Sequence, residues 1–541
     1  MKRSAPAPSP RFLAGLALAV LSGVLIFFAS PPHPTGFWGW IALVPCICAQ
    51  FLLAPDDRAA RLYGAVAYTL GIGLTVLAAF AQLVFPGILP FGLPIAGAVI
   101  LLGGLIYLLA LPTGLPSFHR RTRFRFLVVG PAAAWVGFEF LRMLVQLGHV
   151  WGWFSTSQAE NLAIFQLAAL GGPWLISLVI VAVNYALALG LIALLSPPDR
   201  QDARRPALVA LILLALLLPI AYLWGEARSR PQPGTVRVAA LQPGAELADV
   251  YEYVVLWSTR DWEGLSRAII PDMAARTRQA AALGAQLIVW PEATLWLDPL
   301  DPANSPYTRQ QLAALAQETN ATLVVPYFIL TDQGNLYWFL GFAPGMRNET
   351  LVVTPAGHLS AAPTGQEIAA VAPLEEAHFL GPYAKNHPIP FIGEVSSTRG
   401  QYPVYDLTFA RLATITGYDT TFTDSAWRLT RGGAQLLTLA THDWVGQSST
   451  YNVHTRLRAV ENGVSIVKCD WEVGSLVTDP YGRLLAAAPT DRTADMIVWA
   501  DVPLGPAGQT LYTHIGDLLG WLCLGGMVIF IGAQRTRWGC R

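Results

Sequence analysis

The sequence predicts a polytopic α-helical membrane domain of about eight spans, followed by an α/β domain on the outer face of the membrane. Of the 541 residues, 53% are hydrophobic and 13% are charged, whereas soluble domains carry about 25% charged residues. Long apolar runs fill the first two fifths of the chain, and short β-branched runs alternate with helical stretches after residue 235. The hydrophobic content excludes a disordered chain, and the zero net charge excludes a nucleic-acid-binding protein.

The charged residues are distributed unevenly, and their distribution predicts the domain boundaries. Residues 1–224 contain 13 Lys and Arg and 6 Asp and Glu, whereas the rest of the chain contains 22 and 29. We therefore predict a membrane domain of seven transmembrane helices at 1–224 and an extracytoplasmic α/β domain at 225–510. Residues 511–541 should form an eighth transmembrane helix and a cytoplasmic tail.

The apolar runs have the length of membrane spans, since a helix needs about 20 residues to cross the hydrocarbon core of a bilayer. The sixth run is too long, so only part of it should span. The first could be a signal peptide, but a second run follows almost at once, so we interpret the first as uncleaved. The eight runs occupy residues 12–30, 36–54, 63–86, 92–112, 126–147, 162–196, 207–224 and 511–533.

Basic residues predict the orientation of these spans. Arginines occur in the segments that follow the second, fourth, sixth and eighth runs, and Lys2, Arg3 and Arg11 precede the first. The alternate loops, 31–35, 87–91 and 148–161, contain no Lys or Arg. Because short cytoplasmic loops are enriched in basic residues, both termini should be cytoplasmic and the α/β domain should lie outside.

Polar side chains inside the apolar runs are candidates for function, because they are costly in a bilayer. Glu139 and Arg142 share one helix face, and a structural ion pair is the competing interpretation. Asn184 should join helices rather than bind a ligand. No His/Cys cluster in the chain has the spacing of metal ligands, so we predict no metal and no other cofactor.

Short apolar runs after residue 235 predict the strands of the α/β domain. A helix is predicted over 260–283, and the alternation of strands with helices favours sheets layered against helices. The predicted strands are 236–242, 286–292, 322–328, 349–355, 411–417, 434–441 and 465–469.

Two residues of this domain indicate chemistry. Glu292 follows a buried apolar strand and a proline, where an apolar wall could raise its pKa towards that of a useful base. A solvated acid at a strand end is the alternative. Lys385 is one of three lysines in a chain with 32 arginines, which suggests that a compact ammonium is needed there rather than a guanidinium.

Five segments resemble, in order, the landmarks of the nitrilase, or carbon–nitrogen hydrolase, superfamily. They are QLIVWPEAT (286–294), YAKNHPIPFIGE (383–394), TGYDTTFTD (416–424), RAVENG (458–463) and DPYGR (479–483). With seven spans before the domain and one after it, the chain resembles the apolipoprotein N-acyltransferase family, as do its segments GFWGWIALVP (36–45) and FEFLR (138–142).

That resemblance implies an αββα sandwich in a multi-pass protein of the bacterial cytoplasmic membrane. The family moves an acyl chain from a phospholipid donor to the N-terminal amine of a diacylglyceryl-Cys lipoprotein, through a thioester on a catalytic cysteine. Its general base corresponds to Glu292, and its oxyanion-stabilising lysine corresponds to Lys385. Its second glutamate corresponds to Glu394, although Ile392 lengthens the interval from the lysine by one residue.

The nucleophile position departs from this pattern. Where the family has Cys-Tyr-Glu, this chain has Gly417, Tyr418 and Asp419, followed by the matching Phe422 and Asp424. A glycine has no side chain to acylate, so the covalent mechanism cannot proceed at residue 417.

Two other groups could supply a nucleophile. Cys469 is the only thiol in the predicted α/β domain, and the adjacent Lys468 could lower its pKa, although a buried core residue is the simpler interpretation. His442 and Asp443 are adjacent in sequence, but neighbouring residues of a strand point to opposite faces. Three functions therefore stay open: a pseudoenzyme that binds lipid or lipoprotein, a non-covalent acyltransferase or amidase dependent on Glu292 and Lys385, and a membrane scaffold.

Overall fold

The chain forms two compact units, which we call the helical unit (residues 1–229 and 515–541) and the α/β unit (residues 230–514). The computed structural model describes residues 9–84, 97, 115–145, 151–244, 262–301, 303–331, 345–360, 377–389, 394–505 and 510–535.

The described helical unit consists of α-helices with a few turns of other helix types. Its α-helices are Pro10–Ala29, Val44–Cys48, Asp57–Val84, Pro116–Arg121, Val129–Leu144, Leu162–Phe165, Ala168–Leu195, Arg200–Arg228 and Leu518–Arg535. Turns of 3₁₀-helix lie at Gly36–Trp40 and Phe154–Gln158, and a π-helical turn lies at Ala49–Leu53.

Six helices in the described residues are long and apolar enough to cross a membrane. They are Pro10–Ala29, Gly36–Leu53, Asp57–Ala78, Ala168–Leu195, Arg200–Arg228 and Leu518–Arg535, and each overlaps a predicted span. The predicted span 92–112 lies outside the described residues. The predicted span 126–147 contains the helix Val129–Leu144, whose 16 residues are fewer than a typical span requires.

Two helices illustrate why the unit suits a bilayer. The helix Arg200–Arg228 exposes large apolar side chains, including Leu216, Ile220 and Leu223, which are each at least 60% exposed. Such a surface is stable in lipid rather than in water. Asn184 joins helix Ala168–Leu195 to the segment before Val44, since it donates to the Gly39 carbonyl at 2.8 Å and accepts from the Leu43 amide at 2.8 Å. This contact confirms its predicted role between helices.

Glu139 also contacts another segment. Its carboxylate accepts hydrogen bonds from the Trp135 indole at 3.1 Å and from the Phe154 amide at 3.0 Å. Arg142 donates to the Trp151 carbonyl at 3.2 Å. Both side chains therefore fix the segment that follows helix Val129–Leu144, which favours a structural role for them.

The α/β unit contains two sheets. The first has the strand order β13-β1-β2-β3-β4-β5, with β6 beside β4, and the second has the order β12-β11-β10-β9-β8-β7. The strands are β1 (Val236–Gln242), β2 (Leu287–Val289), β3 (Thr322–Thr331), β4 (Gly345–Pro355), β5 (Ala377–Ala384), β6 (Glu394–Val395), β7 (Tyr405–Asp406), β8 (Arg411–Thr416), β9 (Leu436–Ala440), β10 (Ser465–Cys469), β11 (Leu476–Thr478), β12 (Leu484–Ala487) and β13 (Met496–Val502). Its helices are Trp262–Ala282, Pro306–Thr319, Thr423–Arg431, Val445–Asn462 and Leu511–Ile515, with a 3₁₀ turn at Gly417–Thr421.

These elements stack in four layers, helix–sheet–sheet–helix. Successive side chains of a strand point to opposite faces. Val238 and Ala240 of β1 therefore pack between the sheets, where they join residues of β9 and β10. Ala239 and Leu241 pack against the helices Trp262–Ala282 and Pro306–Thr319. The second sheet is covered in the same way by Thr423–Arg431 and Val445–Asn462. The expected sandwich is thus observed.

Every strand predicted from the sequence is present, and the predicted helix 260–283 is observed as Trp262–Ala282. The sequence did not predict β5 or β13, and it also missed the short strands β6, β7, β11 and β12. The segment of β5 contains Gly-Pro, which hides its alternation, and strands of two to four residues are too short to produce a pattern.

The direction of the strands determines where a site can form. Strands β1, β2 and β3 run parallel, as do β8, β9 and β10. The carboxyl ends of parallel neighbours meet at one edge of a sheet, and ligands of α/β proteins bind in the crevice there. Glu292 follows β2, and Gly417 follows β8.

Candidate active site

Glu292 is a buried carboxylate whose backbone is held from the second sheet. The side chain and backbone together are 6% exposed. Its amide donates to the Thr441 carbonyl at 3.3 Å, and its carbonyl accepts from the Trp471 indole at 2.6 Å. The next residue, Ala293, has φ of 59°, a left-handed conformation that is costly for residues other than glycine. The backbone around Glu292 is therefore fixed tightly.

Lys385 lies directly after β5 and places its ammonium between two carboxylates. Its Nζ is 3.2 Å from Oε1 of Glu292 and 2.8 Å from Oε1 of Glu394. The lysine is 2% exposed, and its amide donates to the Asn348 carbonyl at 2.9 Å. The three residues that the sequence identified therefore come together in one buried group.

Glu394 joins this group although the interval from Lys385 is longer than in the family pattern. It begins β6, beside Met346 of β4, and its Oε2 accepts a hydrogen bond from the Ile389 amide at 2.8 Å. Ile392, which lengthens the interval, lies outside the described residues.

Asn348 on β4 is a member of the site that the sequence analysis missed. Its Nδ2 donates to Oε1 of Glu292 at 2.5 Å and to Oε1 of Glu394 at 2.9 Å. It is fully buried, so the amide draws the two carboxylates towards the same point. Asn348 stands between Arg347 and Glu349, before the apolar part of β4, so its sequence neighbours do not mark it, and its partners are distant in sequence.

The electrostatics of the group favour proton transfer by Glu292. Burial raises the pKa of Glu292, and the negative charge of Glu394 adds to the rise, while Lys385 and Asn348 oppose it. Burial lowers the pKa of Lys385, but the two glutamates outweigh burial and raise it overall. The lysine is therefore an ammonium that lies between two carboxyl groups.

Gly417 lies against Glu292, as a nucleophile at that position would. Its φ is +46°, and a Cβ atom added to it would lie 2.6 Å from both carboxylate oxygens of Glu292. These distances are too short for any side chain unless Glu292 moves. The space that a side chain at residue 417 would need is therefore occupied in part by the Glu292 carboxylate.

The described hydrogen bonds of Asp419 go to residues on either side of Lys385 rather than to Glu292 or Lys385. Asp419 therefore holds the loop that carries Lys385. It accepts from the Tyr383 hydroxyl at 2.6 Å, the Asn386 amide at 3.1 Å and the His387 amide at 2.7 Å. The ring of Tyr418 packs edge-on against Phe422 with 5.3 Å between centroids, and burial raises its pKa.

His387 completes this loop and was not identified from the sequence. Nδ1 lies 2.9 Å from Asp419, Nε2 lies 3.2 Å from Asp424, and the ring stacks on Phe422 at 3.8 Å. Burial lowers its pKa, but its hydrogen bonds to the two aspartates outweigh burial and raise the pKa to about 9. The imidazolium thus links the Lys385 loop to the segment after Gly417.

We predict that His387 makes stability depend on pH. Because the folded pKa of about 9 exceeds the ordinary 6.5, its contribution is complete below pH 6.5 and is lost as the pH rises through 9. The free energy of unfolding should fall in this interval by up to about 1.4 kcal/mol per pH unit. Thermal unfolding in detergent should show this slope in the wild type and not in His387→Gln. Parallel pH profiles for the two proteins would contradict the prediction.

The alternative nucleophiles are placed unfavourably. Cys469 is fully buried between the sheets, its thiol donates to the Leu241 carbonyl at 3.1 Å, and burial raises its pKa well above the ordinary value. This favours the interpretation of Cys469 as a core residue. The Asp443 carboxylate lies 2.7 Å from Nζ of Lys468. Among the described residues, no group of three His, Cys, Asp or Glu could hold a metal ion.

Two parts of the chain match known families. Residues 22–186 match the N-terminal domain of apolipoprotein N-acyltransferase, and residues 237–512 match carbon-nitrogen hydrolase.

The apolipoprotein N-acyltransferase of Chlorobaculum tepidum is 26% identical over 96% of this chain and 97% of its own. The enzyme of that name from Geobacter metallireducens is 25% identical, over 95% and 94%. The one from Gloeobacter violaceus is 28% identical, over 95% and 93%. A solved amidase structure from Nesterenkonia sp. is 18% identical over 50% of this chain and 92% of its own, with a TM-score of 0.35.

The α/β unit, with its buried glutamates and lysine, is that of a carbon–nitrogen hydrolase. Because both family matches and the full-length relatives agree, the chain belongs to the apolipoprotein N-acyltransferase family of bacterial lipoprotein maturation. Together with the six apolar helices of the described residues, this membership identifies a membrane protein.

Proposed function

We propose that the protein transfers an acyl chain from a phospholipid directly to the N-terminal amine of a diacylglyceryl-Cys lipoprotein, without an acyl-enzyme. The observation that carries this proposal is the buried group of Glu292, Lys385 and Glu394 beside a glycine at residue 417. Attack of an amine on an ester needs a base and an oxyanion partner, and it does not need a thiol. The names of the relatives give an apolipoprotein as acceptor and a nitrogen as the acylated atom, and the family resemblance implies the phospholipid donor.

Glu292 is the general base in this mechanism. Its raised pKa brings it nearer to the range in which a carboxylate accepts a proton efficiently at neutral pH. It takes a proton from the attacking amine and delivers it to the glyceryl oxygen that leaves. Because Gly417 has no side chain, no acylated side chain at residue 417 can lie between Glu292 and a substrate next to that glycine.

Lys385 stabilises the oxyanion of the tetrahedral intermediate. An ammonium has three donors, and two of them point to Glu292 and Glu394. The described residues give the third donor no acceptor, so it can donate to an oxygen that becomes negative during attack. Glu394 and Asn348 are positioning residues, because each holds Lys385 or Glu292 in place. Tyr418 and Asp419 support the loop on the other side of the site.

The proposed setting is the bacterial cytoplasmic membrane. In this proposal, about eight spans carry the chain: seven in the membrane domain at 1–224 and the eighth at 511–541. Both termini are cytoplasmic, and the α/β domain at 225–510 is on the outer face. The six apolar helices and the alternation of arginine-rich and arginine-free loops support this arrangement.

A second candidate function is binding without turnover. The absent side chain at residue 417 favours it, because loss of a nucleophile costs a cooperative site on the order of 10⁶ in kcat. In that case the protein would be a pseudoenzyme that recognises the lipid or lipoprotein of its relatives.

Acyl transfer by the purified protein in phospholipid micelles tests the proposal. The acceptor is a synthetic diacylglyceryl-Cys lipopeptide, and mass spectrometry detects the gain of one acyl chain. Glu292→Gln should lower the rate by about 10²–10⁴-fold, because it removes the base and keeps the shape. Glu318→Gln, at a carboxylate that is 52% exposed and paired with Arg278, is the matched control and should retain the rate.

Three other results would replace the proposal. An acyl group on Cys469 would restore a thioester route. Lipopeptide binding without any product would establish the pseudoenzyme. If neither product nor binding is detected, the membrane scaffold is the remaining function.

A further inference from the structure

The chain contains a second buried lysine between two carboxylates. Of its three lysines, Lys2 is at the N-terminus, and the other two are Lys385 and Lys468. Lys468 on β10 is fully buried. In a protein that uses arginine almost everywhere else, both lysines of the α/β unit occupy the same kind of environment.

The second group consists of Lys468, Asp443 and Asp470. Nζ of Lys468 lies 2.7 Å from Oδ2 of Asp443 and 3.9 Å from Oδ2 of Asp470, and it donates to Asn452 at 2.8 Å. All three charged residues are at most 4% exposed. Like the first group, this one places the amine of a buried lysine beside two carboxyl groups.

The carboxylates of Asp443 and Asp470 differ in their hydrogen-bond and ionic partners. Asp470 accepts from the Thr441 hydroxyl at 2.6 Å, from the Asp443 amide at 2.9 Å and from the Glu472 amide at 3.2 Å. Both oxygens of the Asp470 carboxylate are therefore hydrogen-bonded. Lys468 is the described ionic partner of the Asp443 carboxylate. A buried carboxylate with less support is the one that takes up a proton.

The second group lies at the same edge of the sandwich as Glu292. Thr416, Ala440 and Cys469 are paired neighbours at the ends of β8, β9 and β10, so Gly417, Thr441 and Asp470 follow side by side. Thr441 also bonds both sides, since its carbonyl accepts from the Glu292 amide and its hydroxyl donates to Asp470.

The electrostatics agree with this proximity. Burial raises the pKa of Asp443 to about 7, and Asp470 and Glu292 add to the rise while Lys468 opposes it. The charged and titratable groups that face Asp443 are Lys468 and Asp470 from β10 and its end, Glu292 after β2, and Tyr451 of helix Val445–Asn462. Asp443 can therefore exchange a proton in the neutral range.

Direct transfer to an amine requires that two protons leave the acceptor nitrogen, and Glu292 accepts only one of them. An α-amine has a pKa of about 8 and arrives mainly as an ammonium at neutral pH. The ammonium and the ester yield an amide, an alcohol and one free proton. One proton passes from nitrogen to the leaving glyceryl oxygen, and another must leave the nitrogen before it can attack.

We propose that Asp443, held by Lys468, is a second catalytic base that takes the first proton from the acceptor ammonium. This inference rests on the function proposed above. The N–H bond of the ammonium breaks, its electron pair stays on nitrogen, and the proton goes to an oxygen of Asp443. The amine then attacks the ester carbonyl, Glu292 carries the second proton to the leaving oxygen, and Asp443 releases its proton to water.

Two acceptors distinguish this role from a structural one. The diacylglyceryl-Cys lipopeptide is an ammonium at pH 6.5, whereas methoxyamine is uncharged and needs no first deprotonation. In Asp443→Asn, the ratio of the lipopeptide rate to the methoxyamine rate should fall about tenfold or more at pH 6.5, and it should recover towards pH 9, where the lipopeptide amine is free. Asp501→Asn, at an exposed aspartate paired with Arg237, is the matched control and should keep the ratio.

The outcomes separate this inference from the proposed function. Methoxyamine transfer by Asp443→Asn shows that the variant is folded, and an unchanged ratio would then overturn the role of Asp443. If the wild type transfers to neither acceptor, the proposed function fails, and infrared spectroscopy still tests Asp443. The protonated carboxyl band should lose intensity between pH 5 and 9 in the wild type, and this loss should be smaller by one carboxyl group in Asp443→Asn. The same loss in both proteins would overturn the proposal.

Discussion

Replacing Lys385 with methionine should abolish acyl transfer and lower the free energy of unfolding by about 3–5 kcal/mol, the usual cost of removing one partner of a buried ion pair. Without the ammonium, Glu292 and Glu394 would face each other around Asn348 and lose the positive charge that lies between them. The oxyanion of the intermediate would also lose its donor. Transfer to the lipopeptide and thermal unfolding in detergent measure the two effects.

A double substitution separates the two consequences of that change. Adding Glu394→Gln to Lys385→Met removes one of the two unpaired charges and should restore part of the stability, whereas acyl transfer should stay absent. The non-additive part of the stability change then measures the coupling between Lys385 and Glu394. Wild-type stability and activity in Lys385→Met would exclude the ion group from both roles.

Replacing Gly417 with alanine should also lower acyl transfer strongly, by tenfold or more. The new Cβ would lie 2.6 Å from both oxygens of Glu292, so the base must leave its bonds to Asn348 and Lys385. A residue other than glycine also pays about 1–2 kcal/mol for the left-handed backbone. Lipopeptide transfer measures the loss.

Two further variants separate the possible causes of a loss of transfer in Gly417→Ala. Gly357 has φ of +85° and open space around its Cβ position, so Gly357→Ala tests the backbone effect without a contact to Glu292 and should leave transfer intact. Gly417→Cys places a thiol beside the base, and intact-mass spectrometry should detect an acyl thioester in it and not in the wild type. Full activity of Gly417→Ala together with an unacylated Gly417→Cys would contradict the assigned position of residue 417.

The site residues that could be predicted are those whose neighbouring sequence or rare residue type marks them. Glu292 follows Trp-Pro after an apolar strand, and Lys385 stands out in a chain with few lysines. Asn348 and His387 were missed, because their importance comes from partners on other strands and loops. Lys468 was noted only for its neighbour Cys469, since the sequence does not reveal that Asp443, which follows the adjacent strand β9, contacts it.

The fold was predictable to a similar extent. Long β-branched strands and long apolar helices have periods that a sequence displays, and all of those predicted within the described residues correspond to observed elements. Short edge strands such as β6, β7 and β12 arise from pairing with a neighbour, so they depend on the assembled sheet. The span predicted over 126–147 contains a shorter helix, Val129–Leu144, whose Glu139 and Arg142 contact Phe154 and Trp151 further along the chain.

The glycine at residue 417 has a consequence for the order of events in the membrane. An enzyme with a nucleophile can store an acyl chain, release the spent lipid and wait for its second substrate. A site without one must hold donor and acceptor at the same moment, so its kinetics are sequential rather than ping-pong. Its turnover then depends on the lateral density of lipoproteins in the bilayer, and thiol-directed covalent inhibitors have no target at the reacting centre.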